Sequence, residues 1–175
     1  MEARTQQKIT PHLWFDNQAE EAINFYVSVF KNSPLQRVGA SRVVSIHRYP
    51  DDVPEGPMKD MGGKVLHGVF ELAGQRFMGL DGGPLFKFNE SISFYVDCES
   101  QEEVDYFWQK LSAVPEAEQC GWVKDKYRMS WQIIPKRLGE LMSDPDPEKA
   151  GRVLQAMLQM KKIDVAKLEE AHEGK

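Results

Sequence analysis

A chain of 175 residues is long enough to bury a core without disulfide or metal staples, and it suits one domain or two small fused modules. Hydrophobic residues make up 41% and charged residues 28%, the balance of a water-soluble globular protein. The 22 basic residues fall short of the 27 acidic ones, and a net charge of −5 argues against electrostatic capture of nucleic acid or of an anionic membrane.

No apolar run approaches the length of about 18 residues that a membrane span needs, and no basic-then-apolar leader opens the chain. A cytoplasmic protein is expected. Two cysteines, Cys98 and Cys120, do not make a disulfide framework and read as free thiols. No block of like charge forms an interaction tail.

Residues 1–8 are polar and read as a flexible N-terminus. Ile9 to Phe15 read as a strand, with Trp14 and Phe15 suited to a pleated, half-buried surface. Asn17 is placed to cap a helix, with Glu20 three residues on, close to a capping box. Ala19, Ala22, Ile23, Tyr26, Val29 and Phe30 follow helical spacing, and Asn32-Ser33-Pro34 stops the run. Residues 35–47 alternate loosely and favour a strand through Val43, Val44 and Ile46. Tyr49 to Gly63 form a long loop rich in proline and glycine, whose Met58 and Met61 either cover an apolar pocket or anchor the loop.

Lys64–Leu72 and Gln75–Leu80 read as a hairpin about Ala73-Gly74, and Asp81-Gly82-Gly83-Pro84 breaks the sheet. Ser91–Val96 form another strand. Ser100 and Glu103 match a capping box ahead of Val104, Phe107, Trp108 and Leu111 at helical spacing. Short strands follow near Cys120–Val123 and Met129–Ile134, with Asp125–Arg128 as the turn between them. Strand, capped helix and further strands thus occur twice, an internal repeat of a βαβββ module.

After Pro135 the character changes. Asp146 caps a helix with Pro147 at its first position, and Ala150, Val153, Leu154, Met157 and Leu158 form its apolar stripe. Asp164 caps a last short helix carrying Leu168. These helices are expected to dock on the body or on a partner subunit. The organisation is α+β: a first βαβββ module over 9–84, a second over 85–137 and a helical extension over 138–175, as a single structural domain overall.

The motifs Ile9-Thr10-Pro11-His12-Leu13-Trp14-Phe15, Glu20-Glu21-Ala22 with Phe25-Tyr26, and Gly82-Gly83-Pro84 with Phe86-Lys87-Phe88 carry a resemblance. It continues through Ile92-Ser93-Phe94, Glu102-Glu103-Val104, Gln119-Cys120-Gly121-Trp122, Ser130-Trp131-Gln132-Ile133, Leu138-Gly139-Glu140-Leu141 and Asp144-Pro145-Asp146-Pro147-Glu148-Lys149-Ala150. Together they resemble the PhnB-like family of the vicinal oxygen chelate superfamily, the branch named 3-demethylubiquinone-9 3-methyltransferase-like, over residues 8–170. The resemblance implies a glyoxalase fold, with paired βαβββ modules curling around a cleft, and a homodimer.

It also implies a set of metal-ligand positions. The first matches His12, the equivalent strand of the second module offers Ser91 or Ser93, and the final-strand position matches Gln132. No acidic or imidazole side chain precedes Asp81 at the remaining position. One imidazole with a neutral amide and a serine is poor ligation for a divalent transition metal. A degenerate metal centre, and no cofactor, is therefore expected.

His12 is a candidate general base, since an imidazole titrates near working pH, or a structural histidine. Alternation puts Ser130 and Gln132 on one face of their strand and Trp131 and Ile133 on the other. The expected ligand pocket is His12, Trp14, Ser91, Ser93, Trp122, Ser130 and Gln132 in the inter-module cleft, open to a small-molecule ligand. Cys120 reads as a buried, inert thiol, and His47 and His67 show no metal spacing. Gly79-Leu80-Asp81-Gly82-Gly83 lacks the spacing of a nucleotide loop and opens no helix, which weighs against a methyl-donor site of the usual kind. The alternatives are a metal-dependent isomerase or lyase of glyoxalase type, or a methyltransferase as the family name has it.

Overall fold

A computed structural model of the chain describes residues 7–34, 40–53, 55–56 and 59–175. Strands β1 (His12–Phe15), β2 (Arg42–Arg48), β3 (Val65–Leu72) and β4 (Gln75–Asp81) form one sheet in the order β1-β4-β3-β2. Strands β5 (Ser93–Cys98), β6 (Trp122–Lys124) and β7 (Ser130–Pro135) form a second in the order β5-β7-β6. The α-helices are α1 (Ala19–Lys31), α2 (Gln101–Leu111), α3 (Lys136–Met142), α4 (Pro147–Leu158) and α5 (Val165–Glu173). The α+β class and the repeated module therefore hold. The second repeat is the shorter, with three strands among the described residues.

Two compact units result: Met1–Asn32 with Gln36–Lys87, and Ser33–Leu35 with Phe88–Lys175. In the first, β1 lies parallel to β4, while β4–β3 and β3–β2 are antiparallel. Ala73 at φ 47° and Gly74 at φ 80° make the tight hairpin turn between β3 and β4, a twist that matches the strands it joins. Helix α1 packs on one face of this sheet through Ala19, Ala22, Ile23, Tyr26 and Val29, all buried. Burial of a side chain such as Ile23 contributes about 1.5–3 kcal/mol.

Three expectations for this unit need correction. The first strand begins at His12, and Ile9 is 88% exposed. The α1 cap is Gln18 rather than Asn17, and its side chain caps nothing. The expected strand over 35–47 begins, where described, at Arg42, and residues 35–39 and Met58 lie outside the described residues.

In the second unit β5 and β7 are parallel and β6 joins β7 antiparallel, with α2 against the sheet. Ser100 Oγ accepts from Glu103 N–H, as the capping box requires. The Glu103 carboxylate then accepts from Glu99 N–H and Ser33 Oγ–H instead of returning to the cap residue. Asp125 organises the β6–β7 turn: its carboxylate accepts from the backbone N–H of Tyr127 and Met129 and from Trp131 Nε1–H. Asp146 and Asp164 cap α4 and α5 as expected.

Helices α3–α5 build their own core of Leu138, Leu141, Val153, Ile163 and Leu168 against Ile134 of β7. The expected α4 stripe is only partly inward. Val153 is fully buried, but Leu154 and Leu158 are 39% and 49% exposed. One helix face narrower than the apolar pattern explains the difference: the adjacent positions 153 and 154 stand about 100° apart on a helix.

Candidate functional site

Backbone register determines which side chains share a face. In the first sheet His12 pairs with Met78, Trp14 with Leu80, and Met78 with Val69. Leu13 and Phe15 point to the buried, α1-covered face, so His12 and Trp14 project from the other. Val69, Met78 and Leu80 lie half-buried on that same open face and give it an apolar floor.

Trp14 is held firmly. Its Nε1–H donates to Gly83 O at 2.9 Å, and its ring meets Phe86 edge-on at 5.0 Å between centroids. Gly82 N–H bonds to Phe15 O and Gly83 N–H to Asp16 O, which lays the 82–83 segment along the end of β1. A Cβ at Gly82 would stand 2.2 Å from the Trp14 ring, so only glycine lets that ring lie there. The Gly82-Gly83 pair thus serves the tryptophan and opens no helix.

His12 itself is exposed, and its ring meets that of His67 at 5.7 Å between centroids and 88° between planes. Partial desolvation of the ring, and then the neighbouring His67, hold the His12 pKa below 6.5. His67 sits on β3 two residues from Val69 and therefore on the same open face, and His47 of β2 is its cross-strand partner. Sequence spacing hides this grouping, because the three histidines stand on three different strands. Only the strand order and register reveal it.

Asp81 is fully committed elsewhere. Its Oδ1 accepts from Ala19 N–H at 2.8 Å and its Oδ2 from Val65 N–H at 2.9 Å. This carboxylate, 62 residues from the helix it serves, performs the capping that Gln18 does not.

The second unit gathers the other candidates. Ser93 pairs with Ser130, Tyr95 with Gln132, and Trp122 with Gln132, so these side chains share one face of that sheet. Gln132 Nε2–H donates to Ser93 Oγ at 2.8 Å. Ser130 is 1% exposed, and its Oγ has no hydrogen-bond partner among the described residues. Ser91 lies outside this group: it is exposed before β5, and its N–H and hydroxyl both bond Asn89 Oδ1. Trp131 and Ile133 face the opposite, buried side, as alternation requires.

Both cysteines are free. Cys98 is buried, and desolvation first, then Glu103 and Asp97, push its thiol far above the ordinary range. Cys120 is only half-buried, at φ 49°, so the expectation of a buried thiol fails there.

The ligand positions implied by the resemblance fit a metal poorly. Gln132 donates its amide N–H to Ser93, Asp81 is occupied by two backbone N–H groups, and His12 is the single strong donor of that set. Among the described residues no group of three His, Cys, Asp or Glu side chains is placed to hold a metal.

The family model described as 3-demethylubiquinone-9 3-methyltransferase matches residues 7–134. The chain belongs to that family. A Bacillus cereus structure, described as a PhnB protein and under the same family name, is 39% identical, with 74% of this chain and 99% of that chain covered at a TM-score of 0.57. A Pseudomonas aeruginosa protein structure, 15% identical, covers 74% of this chain and 98% of that one at a TM-score of 0.53, which is likeness of fold. No curated protein matches the chain. The family match stops at residue 134, so α3–α5 lie beyond it, where the sequence resemblance was expected to continue to 170.

Proposed function

We propose that this family member binds a small organic molecule on the open face of its first sheet. The reading rests on one observation: Trp14 is locked by Gly83 and Phe86 while His12, two residues away on the same face, stays exposed. A rigid aromatic wall, a floor of Val69, Met78 and Leu80 and an exposed imidazole make an apolar surface with one polar, orienting group, the usual composition of a ligand site. His12 orients the ligand by hydrogen bonding or accepts its proton, and a depressed pKa keeps the ring neutral and able to accept. The polar strip of Ser93, Ser130 and Gln132 on the second sheet, beside Trp122, supplies further hydrogen-bonding capacity in its own unit.

A binding role is favoured over methyl transfer. The glycine pair that follows β4 packs against Trp14 and opens no helix, so it cannot act as a strand–loop–helix cradle for a nucleotide-like methyl donor. Calorimetry with S-adenosylmethionine tests this. Absence of binding is expected, and a saturable isotherm would favour the family name as an activity. A thermal-shift screen of aromatic and carboxylic small molecules, run with a chelator present, tests the main proposal. Stabilisation by at least one compound, lost in His12→Ala and Trp14→Ala, is expected.

We also propose a homodimer in the cytoplasm. Leu85 and Phe86 in the segment after β4 are 74% and 59% exposed, large apolar groups that self-association would cover. Light scattering giving a monomer mass at micromolar concentration would contradict the dimer.

A further inference from the structure

We propose that the polar face of the second sheet holds a carboxylate-binding site built on Lys124, Ser130 and Ser93, with the chain's own Glu90 standing in for the ligand. The ligand class is a small carboxylate carried on an aromatic body. The site rests on reading that sheet's polar strip as a ligand surface, and it uses neither His12 nor Trp14.

Register lays out the site. Ser93, Ser130 and Lys124 are cross-strand partners in one row across β5, β7 and β6. Tyr95, Gln132 and Trp122 form the next row on the same face. Directly opposed side chains stand about 4.5–5.5 Å apart at Cβ, so the polar ends of the first row are within reach of one small group. That row is rich in donors. Lys124 brings an ammonium group. Ser130 brings a hydroxyl that is buried with no hydrogen-bond partner among the described residues, a cost that a ligand oxygen would relieve. Ser93 Oγ accepts from Gln132 Nε2–H, which leaves its own O–H to donate. In the second row the half-buried Trp122 and the exposed Tyr95 flank Gln132 and offer an aromatic surface to the body of the ligand.

Glu90 shows what the site accepts. Lysine is almost never buried unless it is paired, and Lys124, 7% exposed, donates its Nζ–H to Glu90 Oε1. Glu90 is itself 64% exposed in its side chain and stands ahead of β5 in a stretch with neither helix nor strand. The Lys124 hydrogen bond first, then Glu90's own backbone and the charges of Lys124 and Arg128, hold its carboxyl below the ordinary range. Arg128 is exposed and forms no ion pair among the described residues, so the Glu90 carboxylate lies in the field of two cations. An ion pair with one exposed partner contributes little to stability. Exchanging Glu90 for a ligand carboxylate leaves Lys124 paired, returns Glu90 to water and satisfies Ser130, which favours the exchange.

Titration of the full chain with sodium benzoate, followed by NMR at the Trp122 indole N–H, tests the site. Benzamide is the neutral match, and sodium chloride at equal ionic strength controls for screening. Benzoate is expected to give a saturable shift that neither control reproduces. Glu90→Gln removes the competing charge and is expected to bind benzoate at least about tenfold more tightly than the unaltered protein. In the Glu90→Gln background, Ser130→Ala is expected to weaken binding at least about fivefold. The same change should leave the urea midpoint unchanged or raised, since the hydroxyl has no partner among the described residues to lose. Lys124→Met keeps the unbranched stem and is expected to remove saturable binding. No saturable shift in Glu90→Gln at tens of millimolar benzoate, benzamide binding as well as benzoate, or unchanged affinity in Ser130→Ala would overturn the site. So would a Glu90→Gln protein that is less stable and binds no more tightly, the behaviour of an ion pair that only anchors the stretch before β5. His12→Ala and Trp14→Ala score the first-sheet reading, and Glu90→Gln and Ser130→Ala score this one, so each can fail alone.

Discussion

Asp81 caps the helix that begins at Ala19: its buried carboxylate accepts the Ala19 N–H at 2.8 Å with one oxygen and the Val65 N–H at 2.9 Å with the other. One side chain at the end of β4 thereby fixes the entry to α1 and the start of β3. Asp81→Ala leaves two buried N–H groups without acceptors, at about 1–3 kcal/mol each. Asp81→Asn retains one acceptor and turns an amide N–H toward the other donor. Urea denaturation is expected to show both variants destabilised, alanine the more. A change below about 0.5 kcal/mol in either would contradict the capping role.

Gly82→Ala is expected to dislodge Trp14, because the new methyl would meet the indole ring at 2.2 Å. Overpacking of this kind costs about 1–3 kcal/mol. The signature is a shifted indole N–H resonance for Trp14 as its bond to Gly83 O breaks, with weakened ligand binding on that face. An unmoved Trp14 resonance would contradict the account of this glycine.

The His12 ring is expected to titrate below 6.5. Partial desolvation is the larger cause and His67 the smaller, so His67→Phe should return only the lesser part of the shift. The sign for stability follows. A base whose folded-state pKa is depressed contributes stability above its unfolded pKa, and that contribution is lost as pH falls through the folded value. Stability should therefore decline on acidification from 6.5 more in the unaltered protein than in His12→Gln. Ring-proton NMR against pH is the direct check, and titration at or above 6.5 would contradict the assignment.

Ile163→Ala is expected to cost about 2–5 kcal/mol, since Ile163 is fully buried with Ile134, Val153 and Leu168. Its loss should loosen α4 and α5 while leaving the first sheet's histidine resonances in place. Hydrogen exchange resolved by residue distinguishes this from global unfolding.

Local pattern made much of the fold legible. The spacing of Ala22, Ile23, Tyr26 and Val29, the caps at Ser100, Asp146 and Asp164, and the alternation through Ser130–Ile133 each state a local preference that the packing keeps. What stayed hidden was long-range. Asn17 has the right residue type for a cap, yet a carboxylate 62 residues away takes the role. His67 looked isolated because metal spacing is read along one strand, whereas its neighbour stands two strands away. Ser91 and Ser93 were equivalent in sequence, and only the register with Ser130 separates them. The outward turn of Leu154 and Leu158 depends on how wide a face α4 buries, which the apolar pattern alone overstates.

Ligand binding on the open face of the first sheet is tested most directly by backbone and indole NMR shifts on adding the best compound from the thermal-shift screen. Saturable shifts are expected at His12, Trp14, Val69, Met78 and Leu80, with affinity falling at least about tenfold in His12→Ala. Shifts confined to the C-terminal helices, or affinity unchanged in His12→Ala and Trp14→Ala, would contradict it.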